Sequence, residues 1–112
     1  GLIGNESGSA FVVDNIKCRD LNSTLSLRVA ALYSYAHMGV ATITLFGKKG
    51  ESTDVILREE ADCLWNGTTS VYVPLIFEVP PPLRHSSHRL SIKITSTRAE
   101  NKVKLHQVIV RN

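Results

Sequence analysis

Val71-Tyr72-Val73-Pro74-Leu75-Ile76-Phe77-Glu78-Val79, running into Pro80-Pro81-Pro82, is the stretch that decides the fold. Val71, Val73, Leu75, Phe77 and Val79 fall at every second position, the period of a strand with one face turned to a core. The opposite face, Tyr72, Pro74, Ile76 and Glu78, is also largely apolar. Pro74 has no N–H to give to a ladder, so the strand is predicted at a sheet edge or at a bulge. The three prolines that follow hold an extended crossover.

Working outward, Leu90, Ile92 and Ile94 against Ser91, Lys93 and Thr95 give the cleanest one-sided strand. Leu25 to Tyr35 alternates in the same way, and so does Val40 to Phe46, which leads into a hairpin signal at Gly47-Lys48-Lys49-Gly50. Thr53 to Arg58 and Ala10 to Cys18 supply two more strands, with an acidic corner at Glu59, Glu60 and Asp62. Lys102 to Arg111 is the last, and its alternation loses phase at His106-Gln107 as a bulge would cause. About seven strands and no helical periodicity predict an all-β chain, a single antiparallel β-sandwich over residues 10–112. Residues 1–9, rich in Gly and Ser, are expected to be a flexible lead-in.

A length of 112 residues suits one domain, and 43% hydrophobic with 21% charged residues is a globular composition. No apolar run approaches the roughly 20 residues of a membrane-spanning helix. Three of the six asparagines, Asn5, Asn22 and Asn66, head Asn-x-Ser/Thr acceptor sequences for glycosylation. With two cysteines and no Cys-x-x-Cys, that points to a secreted, extracellular or lumenal protein stapled by a Cys18–Cys63 disulfide, a link of about 4 kcal/mol across that spacing; the alternative is two buried free thiols in a cytosolic domain. The reading leaves room for a membrane anchor outside these residues.

The net charge of +3 is uneven. Up to Val79 there are six Lys/Arg against nine Asp/Glu, and from Pro80 onward seven Lys/Arg against Glu100 alone. Such a basic C-terminal third can meet anionic glycans or lipid headgroups, although exposed strands also carry Lys and Arg simply on their wet faces.

Catalytic chemistry finds no foothold. There is no Gly-x-Ser-x-Gly elbow and no phosphate-cradling glycine loop. His85 and His88 offer only two metal ligands, and Arg84 and Arg89 beside them repel a cation, so no metal and no cofactor are expected. His37, beside Met38, has no evident partner, and His106 reads as a partly buried or edge histidine. Aromatic residues, 6% of the chain, do not interleave with the basic cluster, which argues against nucleic acid. The protein is read as a binder, not an enzyme.

From Cys63 to Asn112 the order of features is a cysteine, a short polar turn, an alternating strand ending in Val79-Pro80, a polar loop, a long alternating strand, an acidic turn with Asn101 and a terminal strand. In this pattern, over roughly residues 40–112, the chain resembles the MD-2-related lipid-recognition (ML) family. The resemblance implies a small secreted β-sandwich, ML-like or immunoglobulin-like in outline, that holds a lipid between its sheets. Leu27, Val29, Ile43, Val73, Leu75, Phe77, Ile92 and Ile94 would then enclose the ligand. The alternative is a glycosylated receptor or adhesion ectodomain module that binds another protein through a strand edge or through an interaction loop of Arg84, His85, His88 and Arg89. The surplus apolar residues Tyr33, Tyr35, Tyr72, Pro74 and Ile76 suit either reading.

Overall fold

A computed structural model describes residues 2–112. Among them are eight strands and no helix: β1 (Leu2–Gly4), β2 (Ala10–Lys17), β3 (Leu25–Tyr33), β4 (Val40–Lys49), β5 (Ser52–Asp62), β6 (Val71–Val79), β7 (Ser87–Ile94) and β8 (Val103–Arg111). They form two antiparallel sheets, sheet A in the order β1-β8-β3-β6 and sheet B in the order β2-β7-β4-β5. The sheets pack face to face in a sandwich-like arrangement. Leu25, Leu27, Val29, Ala31, Val103 and Leu105 of sheet A meet Ile16, Ala41, Ile43, Leu45, Ala61, Leu90, Ile92 and Ile94 of sheet B in one core. Alternation puts each of these on its strand's inner face, because residues two apart along a strand point the same way.

The strand count is eight where the sequence predicts seven. The extra one lies in the expected lead-in, where Leu2, Ile3 and Gly4 pair with Leu105, Lys104 and Val103. Pro74 is on an edge strand as predicted: β6 pairs with β3 on one side only, with Pro74 opposite Ala30. The predicted irregularity in the last strand is also present. Ala30 faces Gln107 and Ala31 faces Leu105, so His106 is the extra residue of a bulge. The β4–β5 hairpin turns later than the sequence signal suggests, at Gly50-Glu51 between the paired Lys49 and Ser52. Gly50, at φ +64°, stands first in that two-residue loop, where a hairpin of the matching twist requires a positive φ. Glu59 and Glu60 consequently belong to β5 and not to a corner.

The Cys18–Cys63 disulfide is not formed, and both cysteines are free and buried. Register gives the reason. Cys18 follows Lys17, which pairs with Ser87 at the start of β7, and Cys63 follows Asp62, which pairs with Val40 beside the far end of β7. The length of β7 from His88 to Ile94, about 20 Å at strand rise, separates them. A disulfide needs Cα atoms within about 7 Å. Thiol titration of the denatured protein should therefore find two thiols per chain, and adding a reductant should leave the melting temperature unchanged. One thiol pair lost to oxidation within the monomer would contradict this register.

Candidate functional site

The end of the sandwich that holds Cys18 carries the densest set of reactive side chains. The loop after β6 is pinned there by its backbone: Leu83 N–H donates to Leu21 O at 2.7 Å, and Cys18 N–H donates to Ser86 O at 2.8 Å. These bonds turn His85 inward over Gly47. A Cβ at Gly47 would lie 2.5 Å from His85 Nδ1, so only glycine leaves room for the imidazole. His85 Nε2 pairs with Asp54 Oδ2 at 3.0 Å, His88 Nδ1 lies 3.5 Å from Cys18 Sγ, and the two rings stand edge to face with centroids 6.0 Å apart. Beside them is an open groove of about 320 Å³ between the sheet edges, lined by Val55, Ile56, Val79, Pro80, Pro82, Leu83 and Arg84 as well as both histidines.

The interaction loop expected at Arg84, His85, His88 and Arg89 is thus dispersed. His85 and His88 are buried, 9% and 1% exposed, and His88 belongs to β7. Arg84 alone points out from the loop. Arg89 reaches across to Asp14 Oδ2 at 3.1 Å. Asp14 sits in a bulge of β2 between the paired Val13 and Ile16, where Asn15 takes φ +55°, and it also receives Lys48 Nζ at 3.0 Å. Arg89, then Lys48, hold its carboxyl well below the usual carboxylate range.

Cys18, His85, His88 and Asp54 look like an acid–base chain, but their electrostatics oppose nucleophilic catalysis. Burial pushes the Cys18 thiol up, and burial followed by repulsion from His85 pushes His88 down, so both are neutral near pH 7. A reactive cysteine needs the reverse, a thiolate beside an imidazolium. Cys63, at the other end, is pushed up to about 11 by burial and then by Asp62. Among the described residues, no group of three or more His, Cys, Asp or Glu side chains converges as a metal site.

His88 is expected to make the fold pH-sensitive, because burial and then His85 lower its pKa in the folded chain. The unfolded chain takes up its proton near pH 6.5, whereas the folded chain resists until lower pH. The stability tied to neutral His88 is therefore complete above about pH 6.5 and is lost as pH falls from there through the lower folded value. Urea midpoints measured between pH 7.5 and 5 should fall on acidification, and His88→Asn should flatten that part of the profile. An unchanged slope in the variant would refute the assignment.

The opposite end is held by ion pairs. Arg98 donates through both terminal nitrogens to Asp62, at 2.8 and 2.7 Å, and to Met38 O at 3.2 Å. His37 pairs with Glu100, a partner the sequence does not suggest.

Most of the residues assigned to a lipid cavity fill the core. Leu27, Val29, Ile43, Ile92 and Ile94 are at most 2% exposed and pack against one another, with Leu75 and Phe77 against them; Val73 is half-buried along the β6 edge. The basic C-terminal third does not gather into one patch. Lys93 lies on the outer face of sheet B, Lys104 and Arg111 lie on that of sheet A, and Arg89 and Arg98 are spent on aspartates.

The two outer faces differ in kind. That of sheet B is mixed, a shallow hollow lined by Thr42, Thr44, Phe46, Arg58, Glu60, Ser91, Lys93 and Thr95, with Val12 and Val55 exposed on the strands at its two edges. That of sheet A is a stripe of Tyr72, Pro74 and Ile76 on β6, Ala30 and Leu32 on β3, and Ile109 on β8, placed on one side by register. Tyr72 and Ile76 are 42% and 51% exposed. The β8 bulge turns His106 onto this face, where its ring meets Tyr72 at 5.3 Å across Leu32. In sequence this stripe is visible only as the second apolar face of Val71–Val79; the contributions of β3 and β8 depend on which strands pair.

Comparison with protein-family models, with curated proteins and with solved structures finds no match to this chain.

Proposed function

We propose that this domain is a glycosylated, non-catalytic recognition module of the secretory route that engages a protein partner through the outer face of sheet A. The observation that carries the proposal is the contrast between the two outer faces. Sheet B scatters Val12, Phe46 and Val55 among threonines, serines and charges, whereas sheet A groups Tyr72, Pro74 and Ile76 on one free edge strand, flanked by Ala30, Leu32 and Ile109 and bordered at one end by Ser26, Arg28, Glu78 and Arg111. Apolar stripes of this kind, with aromatic residues and charged rims, are what binding surfaces use.

The acceptor asparagines are consistent with it. Asn5, Asn22 and Asn66 are all exposed and lie between strands, so sugars there would leave both sheet faces uncovered. With the disulfide withdrawn, the secretory reading rests on these three sequons, and the two free, buried thiols count against it because they suit a reducing compartment. The neutral Cys18–His88 pair supports a non-catalytic role.

A photo-crosslinking residue at position 76, in protein made by secreting eukaryotic cells, should capture a discrete partner that the same probe at position 93 does not. Tyr72→Glu on the same chain should abolish the capture without loss of fold. Equal capture from both faces would overturn the proposal.

The groove beside Val79 and Leu83 supports a second reading, in which a small lipid enters between the β5 and β6 edges. Its volume of about 320 Å³ lies at the lower end of ligand pockets. A lipid retained in native mass spectrometry, and lost in Leu83→Asp, would favour this reading.

A further inference from the structure

We infer that Arg28 and Arg111 form a site for one sulfate- or phosphate-type oxyanion on the outer face of sheet A. Ser26 is paired with Arg111 and Arg28 with Ile109, so all four side chains lie on the same face of two neighbouring strands. The two arginines are diagonal neighbours, close enough for their charges to repel. Among the described residues neither forms an ion pair, whereas Arg89 and Lys48 share Asp14, and Arg98 takes Asp62. Glu78, across from Ser26 on β6, is also without an ion pair there. Glu78 is a diagonal neighbour of Arg28 just as Arg111 is and offsets part of that charge; an external anion held between the two arginines compensates the rest.

The space between them has the matching shape. Ser26, Arg28, Ile109 and Arg111 line a recess of about 90 Å³. That is room enough for one tetrahedral oxyanion. Guanidinium groups offer planar forks of N–H donors that match oxyanion edges, and the Ser26 hydroxyl adds a donor. The sulfate of a glycan, the phosphate of a lipid headgroup and a free anion share this chemistry. Whatever carries the anion would extend over Ile76 and Pro74, the next positions of the stripe. The site stands apart from the partner reading, because a small anion tests it with no partner present.

The test is titration of ¹⁵N-labelled protein with sodium sulfate and sodium phosphate against sodium chloride of matched ionic strength, followed by amide shifts. Saturable shifts centred on Ser26, Arg28, Ile109 and Arg111 are expected, with affinity reduced about tenfold or more in Arg28→Ala and in Arg111→Ala. Arg28→Lys, which keeps the charge and loses the fork, should weaken binding several-fold. Both side chains are exposed, so the variants should melt with the parent protein. Tighter binding of glucosamine 6-sulfate than of sulfate assigns a glycan, tighter binding of phosphatidylcholine vesicles doped with phosphatidic acid assigns a headgroup, and equality with the inorganic ions assigns a free anion. Shifts that follow ionic strength alone, that appear equally at Arg19 and Arg84, or that survive the double alanine variant would overturn the site.

Discussion

Leu90→Ala is expected to lower the unfolding free energy by about 3–5 kcal/mol, the upper range for truncating a fully buried leucine. Leu90 is fully buried on β7, a central strand of sheet B, opposite Val13 on one side and Leu45 on the other, and it faces sheet A. Little can collapse around it, because its neighbours along the inner face, His88 and Ile92, are at most 2% exposed and fixed by ladders on both sides. A domain of this size has about 5–15 kcal/mol in all, so the substitution removes a large share. Urea unfolding measures it directly. A loss under 1 kcal/mol would mean that the sheets stand apart at this level with room for a ligand, and would revive the lipid reading at the expense of the packed core.

Asn101→Ala is expected to cost about 2 kcal/mol, more than its single amide suggests. Its Oδ1 accepts from Ser96 Oγ at 2.5 Å and from Arg98 N–H at 3.1 Å, while its Nδ2 donates to Arg98 O at 2.7 Å. Ser96 Oγ in turn accepts from Val40 N–H, and Arg98 clamps Asp62. The β7–β8 turn is thereby fastened to the ends of β4 and β5. Gly39 presses on the same point, since a Cβ there would lie 2.8 Å from Asn101 Cα. Asn101→Asp keeps the acceptor and loses the donor, so it should recover part of the loss. Faster amide exchange at Val40 in the alanine variant would localise the damage; an unchanged rate, with stability within 0.5 kcal/mol of the parent protein, would show that the turn is held by Arg98 and Asp62 instead.

What the sequence discloses depends on whether the determinant is local. Pro74 announces an edge by what its own backbone lacks, and His106-Gln107 announces a bulge by breaking its own alternation. Leu2–Gly4 carries no such mark, because its strand exists only through a partner about a hundred residues further along the chain. Arg84 to Arg89 has the composition of a solvated tip, and the burial of His85 depends on space left by Gly47 in another strand. One signal was nonetheless present: His88 is in phase with Leu90, Ile92 and Ile94, so extending that alternation back by one step puts it inside. The cysteine count carries no distance, and only the register of β2, β4, β5 and β7 places the two thiols at opposite ends.

The pairing of β1 with β8 and of β2 with β7 also sets a timetable. Of the six strand pairings among the described residues, only β4–β5 joins strands consecutive in the chain. Sheet B stays two-stranded until β7 has been synthesised, and sheet A lacks its central pair until β8 has. On the ribosome the β4–β5 hairpin can form early and β3 can pair with β6 once that strand is made, while β1 and β2 wait for β8 and β7. Chains wired in this way fold on the millisecond-to-second scale and are open to aggregation meanwhile, with β1 and β2 the strands left unpaired longest.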